Sequence, residues 1–465
     1  MKKVRFINLD LSRKGGELSR RDFLMNVCAV AAAHVVPKRI RASEPTRKPN
    51  IILILADDLG YGDLGCYGNT DISTPILDAL AKRGMRFTDF HSNGAMCSPT
   101  RAALLTGRYQ QRCGIESVLS SKRDKERGLP LAETTLAEVL GDAGYVTAIF
   151  GKWHLGYISK FNPVRHGFDQ FRGFVAGGLD YHSHIDRSGR PDWWRNGQLE
   201  ADEGYTTDLL TDYGIRFIEE NKDRSFCLYM PYQAVHFPFQ GPRDKADRFT
   251  GGDYWSDAKY GSRKDRKAAY KEMVESLDQN IGRIIRTLRS LQIHEKTFVF
   301  FTSDNGAYSW VGRNLPCSGQ KGSLLEGGHR VPAIACWPGT IRPGTISDET
   351  LLTMDLFPTM VAMAGAKLPI GIRLDGVDFG PTLTGKGTVP DRTVFWRISQ
   401  EGAVRRGPWK LLIKRMKKNA PAQLFNLKDD IGERKDLAKQ YPGIVRELTV
   451  AFRAWEKQID PLGSF

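Results

Sequence analysis

A cysteine in a short motif is the most informative candidate for a catalytic residue in this chain. Residues 97–101 read C-S-P-T-R, and A-A-L-L-T-G-R follows directly. Cys97 is a small nucleophile near a proline that restricts the backbone, and Arg101 lies four residues further on. By themselves these residues indicate a candidate active-site cysteine. The alternative that they leave open is a buried cysteine just before a helix.

Acidic residues follow two predicted β-strands, at the point where each strand ends. Asp57 and Asp58 end one apolar run, and Asp304 and Asn305 end another. Ligands of open α/β sheets bind beyond the carboxyl ends of the strands, so we expect these side chains to meet. Three carboxylates and an amide oxygen are hard ligands, which suit Ca²⁺ or Mg²⁺ better than zinc. One acidic pair alone could equally be a helix cap or a turn, but two pairs predict a metal site.

Basic side chains also lie just beyond predicted strands or in a glycine-rich loop. Lys152 and His154 follow a strand directly, in the sequence G-K-W-H-L-G. His236 lies just beyond another strand, and Lys321 lies in a glycine-rich loop. A lone histidine is more often a core residue than a catalyst. Together with Arg101, however, these residues predict a pocket in which fixed positive charge stabilises an anionic transition state.

The elements that position these residues have an α/β pattern. Apolar runs predict buried strands at 50–56, 145–150, 226–230 and 297–302, and amphipathic segments predict helices from 74, at 135–143 and at 268–291. This alternation predicts a large, mostly parallel sheet with helices on both faces. After about residue 385, short strands at 394–398, 403–405, 409–413 and 423–426 and a helix at 444–458 predict a small antiparallel sheet with one helix. We interpret the basic run at 414–418 as a solvated loop.

Composition excludes several classes of protein. The 465 residues are 41% hydrophobic, as in a globular protein, and the formal net charge is +15. Residues 1–42 carry ten basic and three acidic side chains, which leaves +8 for the remainder. No element has the basic cluster of a nucleic-acid-binding protein, whereas the excess suits an anionic substrate. Beyond Cys28 and Cys97, the irregular spacing of five cysteines predicts no disulfide framework, although one bridge is possible: Cys66, Cys113, Cys227, Cys317 and Cys336.

The N-terminus has the features of an export signal. Residues 19–24 read S-R-R-D-F-L, which resembles a twin-arginine motif, and the alanine-rich run at 23–36 is too short to span a bilayer. We therefore predict a signal peptide at 1–42 and a periplasmic or secreted bacterial protein without stable membrane insertion. A fortuitous basic and apolar leader is the alternative.

Taken together, the motifs resemble those of the type I, formylglycine-dependent sulfatases of the alkaline phosphatase superfamily. C-x-P-x-R with A-x-L-L-T-G-R is similar to the sulfatase signature, and further matches extend over nearly the whole chain after the leader: A-D-D-x-G, G-K-W-H-x-G, V-H-x-P, T-S-D-N-G and K-x-S-x-x-E-G-G. The resemblance implies an alkaline-phosphatase-like sandwich. We predict a catalytic domain at 43–385 and a C-terminal subdomain at 386–465.

The resemblance also implies a modified residue and a bound metal ion. Cys97 would be oxidised to formylglycine by a formylglycine-generating or sulfatase-maturating enzyme. This residue would join Asp57, Asp58, Asp304 and Asn305 as ligands of one Ca²⁺ ion per chain, with Mg²⁺ as the less common choice.

Roles for the basic residues follow from the same resemblance. One hydroxyl of the formylglycine hydrate at position 97 would attack sulfur, while Arg101, Lys152 and Lys321 neutralise the developing charge. His236 or a nearby acid would protonate the departing alcohol. His154 would then help to remove the remaining hydroxyl proton, so that sulfate leaves.

Two segments bear on the substrate. F-D-Q-F-R-G at 168–173 and G-L-D-Y-H-S-H at 178–184 resemble the arylsulfatase B-like branch and its bacterial polysaccharide-sulfatase relatives. Polar and aromatic side chains suit sugar rings, and we predict a sugar subsite from Asp180, Tyr181, His182 and His184, with Trp193 and Trp194 nearby. The predicted substrate is a sulfated carbohydrate, with a galacto-configured unit of a polysaccharide or glycosaminoglycan. Each of these residues alone could equally belong to an ordinary surface loop.

Two other functions remain open at this point. One is a phosphomonoesterase or phosphodiesterase on the same fold, which would need the ligands of a second close metal, and these are not evident in the sequence. The other is a catalytically silent glycan-binding protein. That alternative does not explain why every charged position of the pocket is present.

Overall fold

A ten-stranded sheet forms the centre of the protein, in a computed structural model that describes residues 48–414 and 421–459. Its strands, in chain order, are β1 (Asn50–Ala56), β2 (Met85–Phe87), β4 (Val146–Lys152), β5 (Gln170–Phe174), β6 (Trp194–Arg195), β7 (Gln198–Leu199), β8 (Phe226–Pro231), β9 (Thr297–Ser303), β10 (Ala333–Cys336) and β11 (Thr345–Ser347). Their order in space is β11-β2-β10-β9-β1-β8-β4-β5-β6-β7. A separate two-stranded sheet pairs β3 (Phe90–His91) with β12 (Leu351–Leu352).

The five central strands are parallel, and β1 lies between β9 and β8. Every residue of β1, β4, β8 and β9 is buried. In register, Ile54 faces Phe301 on one side and Met230 on the other. A sheet covered on both faces needs such continuous apolar strands, which is why their sequences show no alternation with polar residues. The prediction of a large, mostly parallel α/β sheet is confirmed.

Antiparallel pairs occur towards both edges of the sheet, which the sequence analysis did not predict, although the edge strand β11 pairs with β2 in parallel. The strand β10 runs against both β9 and β2, and the short strands β6 and β7 extend the other edge beyond β5. These edge strands are two to four residues long. Segments so short contain too few residues to show a hydrophobic period.

Nine α-helices among the described residues accompany the sheets, besides short 3-10 turns: α1 (Pro75–Arg83), α2 (Cys97–Thr106), α3 (Leu136–Asp142), α4 (Thr206–Glu220), α5 (Arg266–Ser290), α6 (Glu326–His329), α7 (Leu356–Met363), α8 (Gly380–Thr384) and α9 (Pro442–Ile459). The predicted helix at 135–143 is α3, and Thr135 forms a capping box with Glu138 at its start. The predicted long helix at 268–291 is α5, which begins two residues earlier, where Asp265 caps it.

Helices cover both faces of the sheet and create two cores. Alternate residues of β1 belong to different cores: Ile52 and Ile54 pack with α1, α4 and α5, whereas Ile51 and Leu53 pack with α2, α3 and α7. The period of two along a strand explains this division, because successive side chains point to opposite faces.

A smaller antiparallel sheet follows at the C-terminal end of the chain. It consists of β13 (Thr393–Ile398), β14 (Glu401–Arg406), β15 (Trp409–Lys414) and β16 (Gln423–Asn426), and α9 packs against it. This sheet shares a third core with residues of the larger part of the chain, among them Ala103 of α2 and Tyr109. The two parts therefore pack on each other through apolar side chains.

Some predictions fall outside the described residues, namely the signal peptide at 1–42 and most of the basic run at 414–418. The six cysteines that the structure does describe are free thiols, Cys66, Cys97, Cys113, Cys227, Cys317 and Cys336. Within the same residues, every helix is too short or too polar to cross a membrane.

Candidate active site

The helix α2 places Cys97 and Arg101 at the centre of the molecule. Cys97 is the first residue of the helix, after the extended Met96, and all ten residues of α2 are buried. Pro99 is tolerated in the first turn because its missing N–H has no partner within a helix at that position. Since Arg101 follows Cys97 by four residues, the two side chains project from the same face of the helix.

Carboxylates from two neighbouring strands surround the thiol. Asp57 and Asp58 follow β1, Asp304 follows β9, and candidate ligand atoms of these three residues and of Cys97 lie within 4.8 Å of one another. All four residues are buried. The backbone N–H of Asp58 donates to Asp304 Oδ1 at 3.3 Å, which holds the two strand ends together. The sequence-predicted metal ligands are thus brought to one place.

Two oxygens of this cluster have the environment of cation ligands. Asp58 Oδ2 and Asn305 Oδ1 are buried without a hydrogen-bond partner, while Asn305 Nδ2 donates to Asp58 Oδ1 at 2.7 Å. A buried oxygen without a donor costs free energy unless a cation or water reaches it. Carboxylate and amide oxygens together suit Ca²⁺ or Mg²⁺. The residues present therefore fit a hard divalent metal ion.

Three cationic side chains balance the carboxylates. Arg101 Nη2 lies 2.7 Å from Asp304 Oδ2, and Lys152 Nζ donates to Asp57 Oδ2. Lys321 Nζ lies 2.5 Å from Asp58 Oδ1. Burial acts to lower the pKa of Arg101 and of Lys321, but the adjacent carboxylates outweigh it and raise both pKa values. Both side chains are therefore charged at neutral pH.

The thiol of Cys97 is not activated in this environment. Its Sγ lies 3.4 Å from Asp57 Oδ1 and accepts a hydrogen bond from Lys321 Nζ at 3.3 Å. Burial and the charge of Asp57 raise the pKa of the Cys97 thiol to about 12. An unmodified cysteine would be protonated here at neutral pH, and a thiol is a much weaker nucleophile than a thiolate.

Two histidines complete the cluster. Nε2 of His154 lies 3.0 Å from the carbonyl oxygen of Leu119, and Nδ1 of His236 lies 2.6 Å from that of Phe237. A carbonyl oxygen only accepts, so each of these ring nitrogens carries a proton and donates it. Burial and the nearby Lys152 hold the pKa of His154 well below its usual range, and burial and Lys321 do the same for His236. Each neutral ring therefore keeps a free lone pair on its other nitrogen.

Two glycines make room for these rings. A Cβ atom on Gly177 would lie 2.6 Å from His154 Nε2, and one on Gly178 would lie 3.0 Å from His236 Nδ1. Any side chain at Gly177 would displace the His154 ring. Both glycines follow β5, in a segment that the sequence analysis did not single out for this role.

The cluster opens into a cavity of about 250 Å³. Cys97, His154, His236 and Lys321 line it, and its rim includes Arg123, Tyr157, Asp186, Arg187, Trp255 and Tyr308. Sequence reasoning identified the first four of these residues and none of the rim. No motif marks the rim residues, and the only signal was the presence of aromatic and basic side chains in long loops.

The structure does not bring the predicted sugar subsite to this cavity. Asp180 is fully buried and organises its own loop, since it accepts hydrogen bonds from the backbone N–H groups of His182, Ser183, Asp247 and Arg248. These bonds direct the carboxylate away from solvent.

The aromatic residues and histidines of the predicted sugar subsite also make their contacts away from the cavity. The Tyr181 hydroxyl donates to the carbonyl of His236 at 2.9 Å, within the core. His184 stacks on Trp193 with ring centroids 4.2 Å apart, and His182 Nε2 lies 3.1 Å from the carbonyl oxygen of Gly241. Trp194 Nε1 donates to Asp192. These side chains support the loop behind His236 instead of lining the cavity.

A second group of buried titratable residues lies between the large sheet and the C-terminal sheet. His91, Glu326 and His329 have ligand atoms close together, but Lys410 Nζ lies 2.8 Å from Glu326 Oε1 and 3.1 Å from His329 Nε2. Arg330 also binds Glu326, at 2.8 Å. These cations occupy both oxygens of Glu326, and neither oxygen is left without a donor as Asp58 Oδ2 is, so we interpret the group as a structural ion-pair network.

Comparison with known proteins agrees with this geometry. The sulfatase family model matches residues 49–366. N-acetylgalactosamine-6-sulfatase of Canis lupus familiaris is 36% identical over 379 residues, which cover 76% of this chain and 69% of the relative. Arylsulfatase A of Homo sapiens is 36% identical over 395 residues, which cover 77% of this chain and 72% of the relative.

Solved structures show the same similarity in three dimensions. Ps i-CgsB in complex with k-i-k-neocarrahexaose has a TM-score of 0.78 and 31% identity, covering 89% of this chain and 93% of that one. A protein studied for the metabolism of multiple glycosaminoglycans by Bacteroides thetaiotaomicron has a TM-score of 0.72 and 26% identity, covering 87% and 98%.

Proposed function

Since this chain belongs to the sulfatase family and is therefore a sulfuric ester hydrolase, we propose that it cleaves sulfate esters of carbohydrates. The relatives named for N-acetylgalactosamine-6-sulfate, and the solved relative with a bound neocarrahexaose, support a substrate with a galacto-configured unit. A sulfated polysaccharide or glycosaminoglycan is the proposed source. The arylsulfatase B-like branch suggested by residues 168–184 remains a prediction.

One observation carries the proposal about chemistry. A buried position at the start of α2, Cys97, is surrounded by three carboxylates, three fixed cations and two neutral histidines, and it opens into a cavity. This arrangement combines a place for a metal ion with positive charge for an oxyanion. Both are needed when a sulfate ester is attacked at sulfur.

The nucleophile that we propose is a formylglycine formed from Cys97. The raised pKa of the thiol argues against catalysis by an unmodified cysteine. The hydrate of a formylglycine supplies a hydroxyl for attack on sulfur and a second hydroxyl whose deprotonation allows sulfate to leave. The oxidation requires a formylglycine-generating or sulfatase-maturating enzyme as a transient partner.

The metal ion that we propose is Ca²⁺, with Mg²⁺ as the alternative. Asp57, Asp58, Asp304 and Asn305 would hold it, together with the residue at position 97. A bound ion would supply Lewis-acid polarisation for the attack on the sulfate ester. Lys152 and Lys321 are held at the site by Asp57 and Asp58, where their charge would assist in binding an anionic substrate.

Each basic residue then has a distinct proposed role. Arg101 is held by Asp304 and by the carbonyl of Lys152, at 3.0 Å, so its guanidinium is a rigid support for the cluster. Lys152 and Lys321 bind the sulfate oxygens. His154 accepts a proton on Nδ1, which is the ring nitrogen without a partner. His236, which also lines the cavity, is the residue that we assign to the leaving alcohol.

We also propose how the chain is organised. Residues 1–42 would direct twin-arginine export to the periplasm or beyond, and cleavage near 41–43 would release the mature protein. Residues 43–385 would form the catalytic domain and residues 386–465 a C-terminal subdomain. The latter adds Lys410 to the network around Glu326.

Release of inorganic sulfate from a panel of saccharides tests the function. The panel contains galactose, N-acetylgalactosamine and glucosamine units sulfated singly at positions 2, 3, 4 or 6, with the corresponding phosphate esters as controls. Hydrolysis of galacto-configured sulfates above all others supports the proposal. Preference for glucosamine sulfates would contradict the assigned sugar, and preference for phosphate esters would contradict the reaction itself.

A further inference from the structure

An arginine at the rim of the active-site cavity has no anionic partner. Arg187 lines the same cavity as Cys97 and Lys321. No carboxylate of the described residues lies within 4.0 Å of its guanidinium nitrogens, and its Nε is buried without a hydrogen-bond partner. Several buried arginines of the protein are paired with carboxylates, as Arg101 is with Asp304, whereas the half-buried Arg187 is not.

Aromatic side chains hold this guanidinium in place. Its central carbon lies 4.3 Å from the centroid of the Trp255 ring and 5.9 Å from that of Phe237. Cation–π contact compensates part of the lost hydration but leaves the N–H donors unused. Burial lowers the pKa of Arg187, whereas the carboxylates beside Arg101 outweigh burial and raise its pKa. The charge of Arg187 is therefore not neutralised within the protein.

The acidic residue that precedes Arg187 in the sequence is engaged elsewhere. Asp186 Oδ1 accepts hydrogen bonds from the backbone N–H groups of Ser188 and Arg190, at 2.8 and 3.1 Å, and from the Ser188 hydroxyl. This carboxylate closes its own turn. Lys122 Nζ lies 5.9 Å from the Trp255 ring centroid and Arg123 also lines the cavity, so the rim has an excess of positive charge.

We propose that Arg187 and Trp255 form a subsite for a second oxyanion of the substrate, a sulfate or a carboxylate carried by the same sugar or by its neighbour. A guanidinium with free donors binds either group through charge-assisted hydrogen bonds, and the Trp255 ring offers a face for the sugar. The cluster around Cys97 holds the sulfate that is cleaved, so only another group of the same molecule reaches Arg187. This inference rests on the proposed carbohydrate sulfatase function and restricts it to substrates with two anionic groups.

A kinetic comparison tests the subsite. Arg187→Gln removes the charge and is compared with Arg190→Gln, the same change at an exposed residue of the same turn. The substrates are a singly sulfated galactoside, its disulfated form, and a singly sulfated disaccharide that contains a uronic acid. Arg187→Gln should lower kcat/KM by about 10- to 100-fold for at least one of the two dianionic substrates, the disulfated galactoside or the disaccharide with the uronic acid. This is the range expected for a lost charge-assisted hydrogen bond.

The other substrates and the control variant define the outcome. Arg187→Gln should leave kcat/KM for the singly charged galactoside within about twofold of the wild-type value, and Arg190→Gln should leave all three substrates unchanged. Loss with the disulfated substrate identifies a second sulfate, and loss with the uronic acid identifies a carboxylate. Equal effects of Arg187→Gln on all three substrates, or none on any, would overturn the inference.

Failure of the proposed function would be visible separately. If the folded wild-type enzyme hydrolyses none of these esters, the same compounds serve as stable ligands in isothermal titration calorimetry. Tighter binding of a dianionic compound that Arg187→Gln weakens by about tenfold, and Arg190→Gln does not, would support the subsite while refuting the sulfatase proposal. Affinities that do not depend on Arg187 would overturn the subsite.

Discussion

At the scale of single residues, the buried carboxylates decide what the other groups can do. They keep Lys321 charged and raise the pKa of the Cys97 thiol to about 12, with burial as the main cause for the thiol. One of their oxygens, Asp58 Oδ2, is buried without a hydrogen-bond donor. The site is therefore prepared for a divalent cation and for a nucleophile other than a thiolate.

The modification of Cys97 is expected to be visible by mass. The peptide that contains position 97 should be lighter than its unmodified form by about 18 Da, because a formylglycine replaces the thiol group by an aldehyde. Peptide mass spectrometry of protein from a host with the maturation enzyme measures this difference. Cys97→Ala is the matched control for activity. A fully active preparation that contains only cysteine at position 97 would contradict the proposed nucleophile.

Metal binding should depend on Asp57. Asp57→Asn removes one of the three carboxylate ligands and should abolish the rise in melting temperature that Ca²⁺ produces in the wild type, with at least a 100-fold loss of sulfate release. Asp142→Asn, an exposed aspartate at the end of α3, is the control and should respond to Ca²⁺ like the wild type. Differential scanning fluorimetry with and without a chelator gives the comparison. Unchanged activity after complete chelation would exclude the metal site.

At the scale of elements, the C-terminal sheet stabilises the segment that carries Lys321. Lys410 on β15 reaches Glu326 at the start of α6, five residues after Lys321, and also binds Glu433 Oε1 at 2.8 Å. On β14, Arg405 binds Asp89 Oδ2 at 2.6 Å. Two strands of the small sheet thus supply buried cations to carboxylates of the larger part of the chain.

Loss of Lys410 should be costly. Lys410→Met leaves two buried carboxylates without their shared cation and should lower the free energy of unfolding by about 3–5 kcal/mol. The triple variant Lys410→Met/Glu326→Gln/Glu433→Gln removes the repulsion and should regain part of this loss. Lys428→Met, at an exposed lysine beyond β16, is the control. Chemical denaturation measures the differences, and equal stability of Lys410→Met and Lys428→Met would contradict the network.

At the scale of the whole molecule, burial of neutral histidines makes the fold sensitive to acid. Burial lowers the pKa of His166 and that of His184 to about 4, and it also lowers the pKa values of His91, His154, His236 and His329. A histidine with a lowered pKa in the folded state binds its proton more readily when unfolded. Its contribution to stability is present above the unfolded pKa of about 6.5 and is lost as the pH falls towards the folded value.

The acid sensitivity can be assigned to one of these residues. His166 has no hydrogen-bond partner at either ring nitrogen and packs on Trp153, with ring centroids 5.3 Å apart. His166→Phe keeps an aromatic ring but cannot titrate. Between pH 7 and pH 5, the free energy of unfolding should fall by about 2 kcal/mol less in the variant than in the wild type. Denaturation curves at several pH values test this, and parallel pH profiles would contradict the prediction.

Much of the candidate site was predictable from the sequence because of where its residues lie on the chain. Asp57, Asp58, Asp304 and Lys152 end central strands or follow them directly. The carboxyl ends of parallel strands meet at one edge of a sheet, so residues far apart in sequence converge once the sheet is recognised. Continuous apolar runs identify those strands, and the length and period of α5 identify the long helix.

Only the tertiary structure decided which loop residues reach the active-site cavity. The segment at 178–184 has the composition of a sugar-binding loop, yet Asp180 is turned inward by N–H groups of Asp247 and Arg248, more than sixty residues away. Arg187 and Trp255 come to the rim from two loops without any motif. A loop has no period that fixes the direction of its side chains, and long-range contacts set that direction. The sequence by itself therefore predicted the residues of the candidate reacting centre, whereas the surface that we propose for sugar recognition emerged only from the folded chain.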